Sequence, residues 1–207
     1  MMSSRFLKYQ RRAGFLFLFF LVLQVLLVLL SWFITAAAPD MKVRSLLSGE
    51  GLRWLFGNFT NNTATPLLVW LLLLGGAAGT CWKSRIMSVI LLKKKPSFLQ
   101  RFALQMVVLE LIVVLILLAL LTLMPHATLV SITGALFPSD FSLGLIPLVA
   151  LVLFWISLTY GFMGGAFHHI EDLVDSYVTG ITFLAPSLLV YFIVAEFYAS
   201  LCYVFSL

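Results

Sequence analysis

Five long apolar runs alternate with shorter polar segments along this chain. The runs cover residues 13–38, 66–82, 104–124, 144–163 and 185–207. A helix needs about 20 mostly apolar residues to cross a hydrocarbon layer of about 30 Å. The strands of a membrane barrel would instead alternate apolar and polar positions over about 10 residues. The pattern therefore predicts an all-α fold, a polytopic transmembrane helical bundle of about five spans that forms a single domain over residues 1–207.

The first apolar run follows four basic residues, Arg5, Lys8, Arg11 and Arg12. A secretory signal peptide begins with a similar basic segment, but its apolar core has only about 7–15 residues. The run over residues 13–38 is longer than such a core and is long enough to span a membrane with some tilt. We therefore expect an uncleaved first helix.

The segment 39–65 is polar to amphipathic, with leucine and aromatic residues among charged ones. Because tryptophan concentrates at the level of the lipid headgroups, we expect a short interfacial amphipathic helix from about Ser48, with Trp54 as its interfacial anchor. Asn58 and Asn61 each begin a glycosylation acceptor pattern, which matters only in a eukaryotic secretory system. We interpret these asparagines as polar loop residues.

Two later segments connect the spans. Residues 127–142 are expected to form a loop with a short helical or re-entrant piece around residues 128–137. Residues 164–182 are amphipathic and acidic, and they are expected to form the next connection. His168 and His169 are adjacent, so a helix would point them about 100° apart and make them poor joint metal ligands. We expect them at a solvated helix start.

Glycine residues recur at a spacing of four in two of the spans. Gly75 and Gly79 lie in the second span, and Gly161 and Gly165 lie near the end of the fourth. This spacing places both members of a pair on one helical face and lets a neighbouring backbone approach closely. Both pairs are expected to be helix-packing positions.

The composition identifies lipid as the solvent of most of the chain. Hydrophobic residues make up 62% of the sequence and charged residues only 10%, and the mean hydropathy is +1.11. A soluble domain has about 25% charged residues. Too little polar surface is available here to cover a water-soluble globule. The lipid bilayer is therefore the first partner that we expect.

The distribution of charge predicts the orientation in the membrane. All 13 Lys and Arg residues lie within the first 101 residues, concentrated before the first span and in residues 83–101. The positive-inside rule places both segments, and therefore the N-terminus, in the cytoplasm. Five spans then place the C-terminus outside. No soluble domain carries the interleaved basic and aromatic residues of a nucleic-acid surface, so no nucleic-acid partner is expected.

Two carboxylates interrupt the apolar runs and are the candidate intramembrane ionisable residues. Glu110 lies in the third run and Glu196 near the middle of the fifth. An ionised carboxylate in lipid is unfavourable, so it faces a partner, faces water or carries a proton. One hypothesis is that these residues couple transport to protons or cations. The alternatives are a protonated or hydrogen-bonded structural glutamate, or a glutamate aimed at a partner subunit.

The sequence contains no motif of a known catalytic site. It has no nucleophile–base motif, no phosphate-binding glycine loop and no HExxH sequence. No enzyme activity, catalytic residue, cofactor or metal site is therefore expected. Cys81 and Cys202 lie towards opposite faces of the membrane in the predicted topology, which disfavours a disulfide. We interpret both cysteines as packing residues.

Two stretches of the sequence carry a family resemblance. The first is Leu46-Leu47-Ser48-Gly49-Glu50-Gly51-Leu52-Arg53-Trp54, followed by Asn58, Asn62, Pro66-Leu67 and the Gly75 to Gly79 run. The second is Tyr160-Gly161-Phe162-Met163-Gly164-Gly165, followed by Asp172-Leu173-Val174 and Ala195-Glu196-Phe197. Both stretches resemble the AbgT family, the p-aminobenzoyl-glutamate transporters, which are also described as antimetabolite exporters.

The resemblance implies a transporter scaffold in the bacterial inner membrane and a tendency to form dimers. Family members are more than twice this length and contain two inverted halves, each with a re-entrant hairpin at the substrate site. The Ser-Ser-Asp-type hairpin of the first half has no counterpart after Arg101, and the second hairpin would follow Glu196. Glu196 also stands where the family pattern has a neutral Gln. The chain therefore resembles a strongly shortened relative, and no substrate or cation residue is transferred to it.

Three functions compete at this point. The first is a small-solute, ion-coupled transporter, or one half of one, that works as a homo-oligomer. The second is a non-transporting membrane subunit or scaffold that packs against a partner membrane protein. The third is a membrane enzyme, which lacks a motif. The sequence favours descent from a transporter and predicts no particular small-molecule substrate.

Overall fold

The structure, a computed structural model, describes residues 4–90, 96–123 and 140–206. Every regular element within these residues is a helix. The helices are α1 (Ser4–Ala37), α2 (Gly49–Thr63), α3 (Pro66–Lys83), α4 (Ile86–Ile90), α5 (Phe98–Leu123), α6 (Asp140–Met163) and α7 (Ile170–Phe205). The predicted all-α fold is confirmed.

Five of these helices contain a stretch that is long and apolar enough to cross a membrane. The stretches are Phe6–Ala37, Pro66–Lys83, Phe98–Thr122, Gly144–Met163 and Ile170–Phe205. By length and composition, the chain is therefore a multi-pass membrane protein, and its described residues contain the predicted number of spans. The helical or re-entrant piece that we expected around residues 128–137 lies outside the described residues.

The described helices group into two compact units. Unit 1 consists of Met1–Val69 with Leu184–Leu207, and unit 2 consists of Trp70–Phe183. Both α3 and α7 contribute residues to each unit. The single domain over residues 1–207 stays a prediction.

Unit 1 holds the segment before α2 between α1 and the end of α7. Leu27, Leu46 and Val204 form a buried apolar cluster there. The backbone N–H of Leu46 donates to the hydroxyl of Ser31 at 3.1 Å, and the N–H of Arg44 donates to the Val204 carbonyl at 3.0 Å. These bonds satisfy backbone groups that lie outside any helix, which an apolar environment requires.

Helix α2 begins close to where the sequence predicts an interfacial helix. Ser48 is the N-cap, and its hydroxyl accepts a hydrogen bond from the N–H of Gly51 at 3.0 Å. This bond replaces a missing helical partner, and Glu50 in the first turn interacts favourably with the helix dipole. The helix continues to Thr63, so Asn58 and its polar neighbours are helical and the loop interpretation was wrong.

An interruption separates α2 from α3 at Ala64 and Thr65. Pro66 is the first residue of α3, a position where a missing N–H removes no bond from the new helix. The same proline provides no donor for the carbonyl of Asn62, four residues earlier. The sequence therefore ends one helix and starts the next within two residues.

The apolar core of unit 2 lies where α5 packs against α6. Its buried cluster consists of Cys81, Ile86, Ala103, Val107, Ile156 and Tyr160. Buried hydroxyls in this unit bond to their own helix: Ser157 donates to the Leu153 carbonyl at 2.6 Å, and Ser176 donates to the Leu173 carbonyl at 2.6 Å. Such bonds satisfy polar side chains without a partner helix.

Glycines let α3 and the first part of α7 approach closely within unit 2. A Cβ added to Gly79 would overlap the backbone of Ser176 and Gly180, and one added to Gly180 would overlap the carbonyl of Gly75. Such direct contact between two helix backbones is typical of the small-residue interfaces between membrane helices. The expected packing pair, Gly75 and Gly79, lies at this contact.

The second glycine pair lies at the end of α6 and has a different environment. A Cβ on Gly161 would overlap the ring of Phe167, which follows a few residues later in the chain. Gly165 has a φ of 73°, and a Cβ there would meet nothing within 4 Å. The structure therefore differs from the packing role that we expected for Gly165. Its left-handed conformation, which glycine adopts without steric cost, turns the chain after α6.

Helix α7 begins at Ile170, well before the predicted start of the last span at residue 185. Most of the segment that we expected as an acidic connection is therefore helical, because its polar positions cover the outside of a helix. Asp172 accepts hydrogen bonds from the N–H groups of His168 at 2.8 Å and His169 at 3.1 Å. These bonds satisfy free donors at the helix start. Both histidines are exposed there, as predicted.

A methyl group at Gly79 tests the close contact between α3 and α7. We expect Gly79→Ala to lower the free energy of unfolding by about 1–3 kcal/mol, the usual range for overpacking. Gly144→Ala is the matched control, because Gly144 is helical and a Cβ there meets nothing within 4 Å. Thermal unfolding of the detergent-solubilised variants provides the measurement. Equal stability of the Gly79→Ala variant and wild type would contradict the contact.

Candidate functional site

Glu196 is the one carboxylate among the described residues that is almost fully buried, with 6% of its surface exposed. It lies in the last third of α7, among the apolar residues of the fifth candidate span. Nδ2 of Asn62 donates to Oε1 of Glu196 at 3.4 Å and to Oε2 at 3.3 Å. Both distances are long for hydrogen bonds, so a single amide stabilises this carboxylate weakly.

A cavity of about 480 Å³ opens beside this pair in unit 1. Its lining residues are Trp54, Asn62, Thr65, Ala195, Tyr198, Ala199, Cys202 and Tyr203. The α7 residues from Ala195 to Cys202 recur at spacings of three and four, so they share one helical face. The small side chains of Ala195 and Ala199 contribute little bulk to this face. Asn62 both lines the cavity and contacts Glu196, and it therefore connects the two.

Aromatic side chains form one wall of the cavity. The rings of Trp54 and Tyr203 stack with centroids 4.3 Å apart and an angle of 21° between their planes. The guanidinium of Arg44 lies 5.7 Å from the centroid of the Tyr203 ring, within range of a cation–π contact. Trp54 therefore packs within unit 1, and its role as an interfacial anchor stays a prediction.

Hydrogen bonds from two hydroxyl groups connect the segment after α2 to α7. The hydroxyl of Tyr191 donates to the carbonyl of Thr63 at 2.8 Å. Because that donor is used, the hydroxyl of Thr65, 2.5 Å away, donates to the Tyr191 oxygen. These bonds hold the end of α2 within about two turns of Glu196 along α7.

Two further polar pairs in unit 1 connect α1 to α7. Nε2 of Gln24 donates to the hydroxyl of the fully buried Ser200 at 2.8 Å, and Tyr9 is hydrogen-bonded to Ser187. Ser200 lies one helical turn after Glu196, on the same side of α7. Oε1 of Gln24 is buried and has no hydrogen-bond partner among the described residues.

Glu110, the second candidate, lies in unit 2 on a helix whose side chains are mostly exposed. The hydroxyl of Thr159 donates to its Oε1 at 2.6 Å. Its Oε2 is buried, and no described residue offers a hydrogen bond to it. Glu110 therefore has a neutral donor on one oxygen and an unsatisfied acceptor on the other.

The two cysteines are free thiols in the structure. Cys81 is buried, with its sulfur 2.7 Å from the Ser157 hydroxyl oxygen. Cys202 is partly buried and lines the cavity in unit 1. In the described parts of the chain, no group of three or more His, Cys, Asp or Glu side chains is arranged to hold a metal ion.

Sequence reasoning identified the glutamates but missed the residues around Glu196. Asn62 was interpreted as a polar loop residue, whereas it is helical and contacts the buried carboxylate, and Thr65 was not singled out. A usable signal was present: a run of Asn and Thr residues stands immediately before Pro66 in a chain with few polar residues. Such a run marks the end of a helix that needs polar partners.

The fold is similar to that of a solved membrane transporter. The crystal structure of the Alcanivorax borkumensis YdaH transporter, described as having an unusual topology, matches with a TM-score of 0.75 and 17% sequence identity. The match covers 92% of this chain and 71% of that chain. No family model and no curated protein matches the sequence. At this identity the likeness shows the fold alone, which is transporter-like.

A double-mutant cycle tests the contact between Asn62 and Glu196. We expect Asn62→Ala to destabilise the wild-type chain and to have a smaller effect in a Glu196→Ala background, with a coupling of about 1 kcal/mol. Denaturant unfolding in detergent provides the four free energies. Asn58→Ala is the control, because the Asn58 amide bonds to the Trp54 carbonyl instead. Additive effects of Asn62→Ala and Glu196→Ala would show that the two side chains do not interact.

Proposed function

We propose that this chain is a small-solute, ion-coupled membrane transporter of the AbgT type that works as a homo-oligomer. Glu196 is assigned as the residue that carries the coupling ion, a proton or another cation. The observation that supports this proposal is the burial of Glu196 on an apolar helix beside a cavity and a helix interruption. Transporters place their ion sites near the middle of the membrane at interrupted helices of this kind.

The energetics of Glu196 favour a role in coupling over a purely structural one. A structural carboxylate in lipid is usually paired with a basic side chain or with several donors. Glu196 has one long amide contact, and no described basic side chain forms an ion pair with it. Ionisation of Glu196 is therefore unfavourable unless an ion binds, and the binding of an ion changes the energy of the whole site. That dependence is what couples an ion gradient to a conformational change.

Two independent arguments support the transport class. The sequence resembles the AbgT family in the segments around Ser48 and Glu196, and the fold is similar to that of a solved transporter. The basic N-terminus and the basic segment 83–101 favour a cytoplasmic N-terminus, and the family resemblance implies a bacterial inner-membrane protein. The substrate class that follows from the resemblance is p-aminobenzoyl-glutamate and related aromatic antimetabolites.

Glu110 favours a second candidate function. One of its carboxylate oxygens is buried and unsatisfied among the described residues, on a helix that packs little within the chain. A partner membrane protein that supplied a donor there would satisfy it. The chain would then be a non-transporting subunit or scaffold of a larger complex.

Flux into proteoliposomes tests the transport proposal. We expect the wild-type chain to accumulate radiolabelled p-aminobenzoyl-glutamate when a proton or Na⁺ gradient is imposed. Glu196→Gln removes the ionisable group and should lower gradient-driven accumulation about tenfold or more. Glu50→Gln is the matched control, because Glu50 is exposed at the opposite end of α2.

Three outcomes of the flux measurement would contradict the proposal or part of it. Accumulation by the Glu196→Gln variant at the wild-type level would show that Glu196 does not carry the ion. Loss of accumulation in a Glu110→Gln variant alone would assign the coupling to Glu110 instead. No accumulation by the wild-type chain under either gradient would contradict an AbgT-type substrate.

Purification in mild detergent, followed by native mass spectrometry, separates the two candidate functions. We expect a homodimer without other proteins, which would favour a self-contained transporter. A stoichiometric foreign membrane protein, lost on Glu110→Gln substitution and retained by Glu50→Gln, would support the subunit instead.

A further inference from the structure

Helix α2 ends with carbonyl groups that lack their ordinary helical partners. The N–H of Thr65, which would bond to the Asn61 carbonyl in a continuing helix, donates instead to the Thr63 carbonyl at 2.9 Å. Pro66, the corresponding partner of the Asn62 carbonyl, has no N–H. Carbonyls point along a helix towards its C-terminus. The end of α2 therefore presents free acceptors at the interruption before α3.

No positive charge compensates this helix end. The last turn of α2 has no basic residue, and no lysine or arginine lines the adjoining cavity. Arg44 contacts Tyr203, which lies ~10 Å from Glu196 along α7. The negative end of the helix dipole and an ionised Glu196 carboxylate therefore have the same sign, and Asn62 connects them.

Asn62 belongs to the carbonyl end of α2 and also contacts Glu196. Its side-chain amide contacts both oxygens of Glu196 at 3.3 and 3.4 Å, and its backbone carbonyl is one of the free acceptors. Thr65, within the interruption, lines the same cavity as Asn62 and adds a hydroxyl oxygen. The end of α2 and the interruption thus supply hard oxygen atoms, and Asn62 connects them to a buried carboxylate.

We propose that the interruption between α2 and α3 binds a dehydrated monovalent metal cation of the Na⁺ class, held by Glu196, the carbonyl end of α2 and Thr65. This inference rests on the proposed function and specifies its coupling ion. Interrupted helices of transporters coordinate such ions through unwound carbonyls and the C-terminal ends of half-helices. A cation here neutralises the carboxylate. It also coordinates the Asn62 carbonyl, which has no hydrogen-bond donor because Pro66 lacks an N–H.

The charge of the site selects a monovalent ion over a divalent one. Calcium sites use six to eight oxygen ligands that commonly include several carboxylates, whereas Glu196 is the one described carboxylate that contacts the end of α2. The remaining oxygens are neutral carbonyl and hydroxyl groups, so a single positive charge balances the site. Soft transition metals prefer sulfur and imidazole ligands, and the cavity offers one thiol, Cys202, and no imidazole.

Binding of ²²Na⁺ to the purified full chain in detergent tests this inference, with ionic strength held constant by N-methylglucamine chloride. We expect saturable binding of about one ion per chain that unlabelled Na⁺ displaces. Glu196→Gln should weaken the binding about tenfold or more, and Glu50→Gln should leave it unchanged. Wild-type affinity in the Glu196→Gln variant, or no saturable binding by the wild type, would overturn the inference.

Pro66→Ala is a second variant that leaves the carboxylate intact. The new N–H gives the Asn62 carbonyl a donor and removes it as a ligand, so we expect the affinity for ²²Na⁺ to fall about threefold or more. Pro147→Ala, which removes a proline from inside α6, should leave the affinity unchanged. If the Glu196→Gln variant does not elute as a folded species in size-exclusion chromatography, unchanged affinity of Pro66→Ala decides against the site.

The flux assay separates this inference from the proposed function. Accumulation that depends on Glu196 and on a proton gradient, without any Na⁺ binding, would overturn the cation site and leave ion-coupled transport standing. Na⁺ binding that depends on Glu196, without substrate accumulation, would support the site and contradict the transport proposal.

Discussion

The structure depends on one constraint, which is that lipid offers no hydrogen bonds to a polar group. Unit 1 satisfies it through α7, where four polar side chains meet a partner from an earlier part of the chain. Ser187 pairs with Tyr9, Tyr191 with the end of α2, Glu196 with Asn62, and Ser200 with Gln24. Unit 2 satisfies the same constraint locally, through serine hydroxyls that bond to carbonyls of their own helices. The positions where this satisfaction is incomplete are therefore informative, since an unsatisfied buried group is expensive in lipid.

Hydrophobic pattern alone was sufficient to predict the membrane-spanning elements, because the length of an apolar run reports directly on the thickness of the bilayer. The Ser48 cap of α2 and the proline start of α3 were also readable, since both depend on local chemistry. The extension of α7 back to Ile170 was not readable, because acidic positions on the exposed side of a helix look like a polar loop. Gly165 was misread for a related reason: a spacing of four does not distinguish a packing face from a left-handed turn, and only the observed φ does.

The sequence was sufficient to predict the glutamates of the candidate site but not their partners. A glutamate inside an apolar run is conspicuous, so both Glu110 and Glu196 could be named before their surroundings were known. Their partners could not be named, because Asn62 and Glu196 are far apart in the chain and no local pattern links them. The structure also separates the two glutamates by environment. Glu110 has a short bond from Thr159 and an unsatisfied second oxygen on an outward helix, whereas Glu196 has a long contact and a cavity beside it.

That difference in environment bears on which glutamate can respond to an ion. Glu110 already accepts a short bond from the Thr159 hydroxyl on one oxygen. Glu196 has only the long amide contact from Asn62, and Asn62 also belongs to the helix end that carries free carbonyl acceptors. The interruption at Ala64 and Thr65 therefore also affects the hydrogen bonding of the residue that contacts Glu196. Because Pro66 stands four residues after Asn62, the Asn62 carbonyl lacks its helical donor. The side chain of the same Asn62 contacts Glu196, the one almost fully buried carboxylate of the described residues. A continuous helix would pair those carbonyls internally, so the broken helix leaves free acceptors at Asn62, the residue that contacts the buried glutamate.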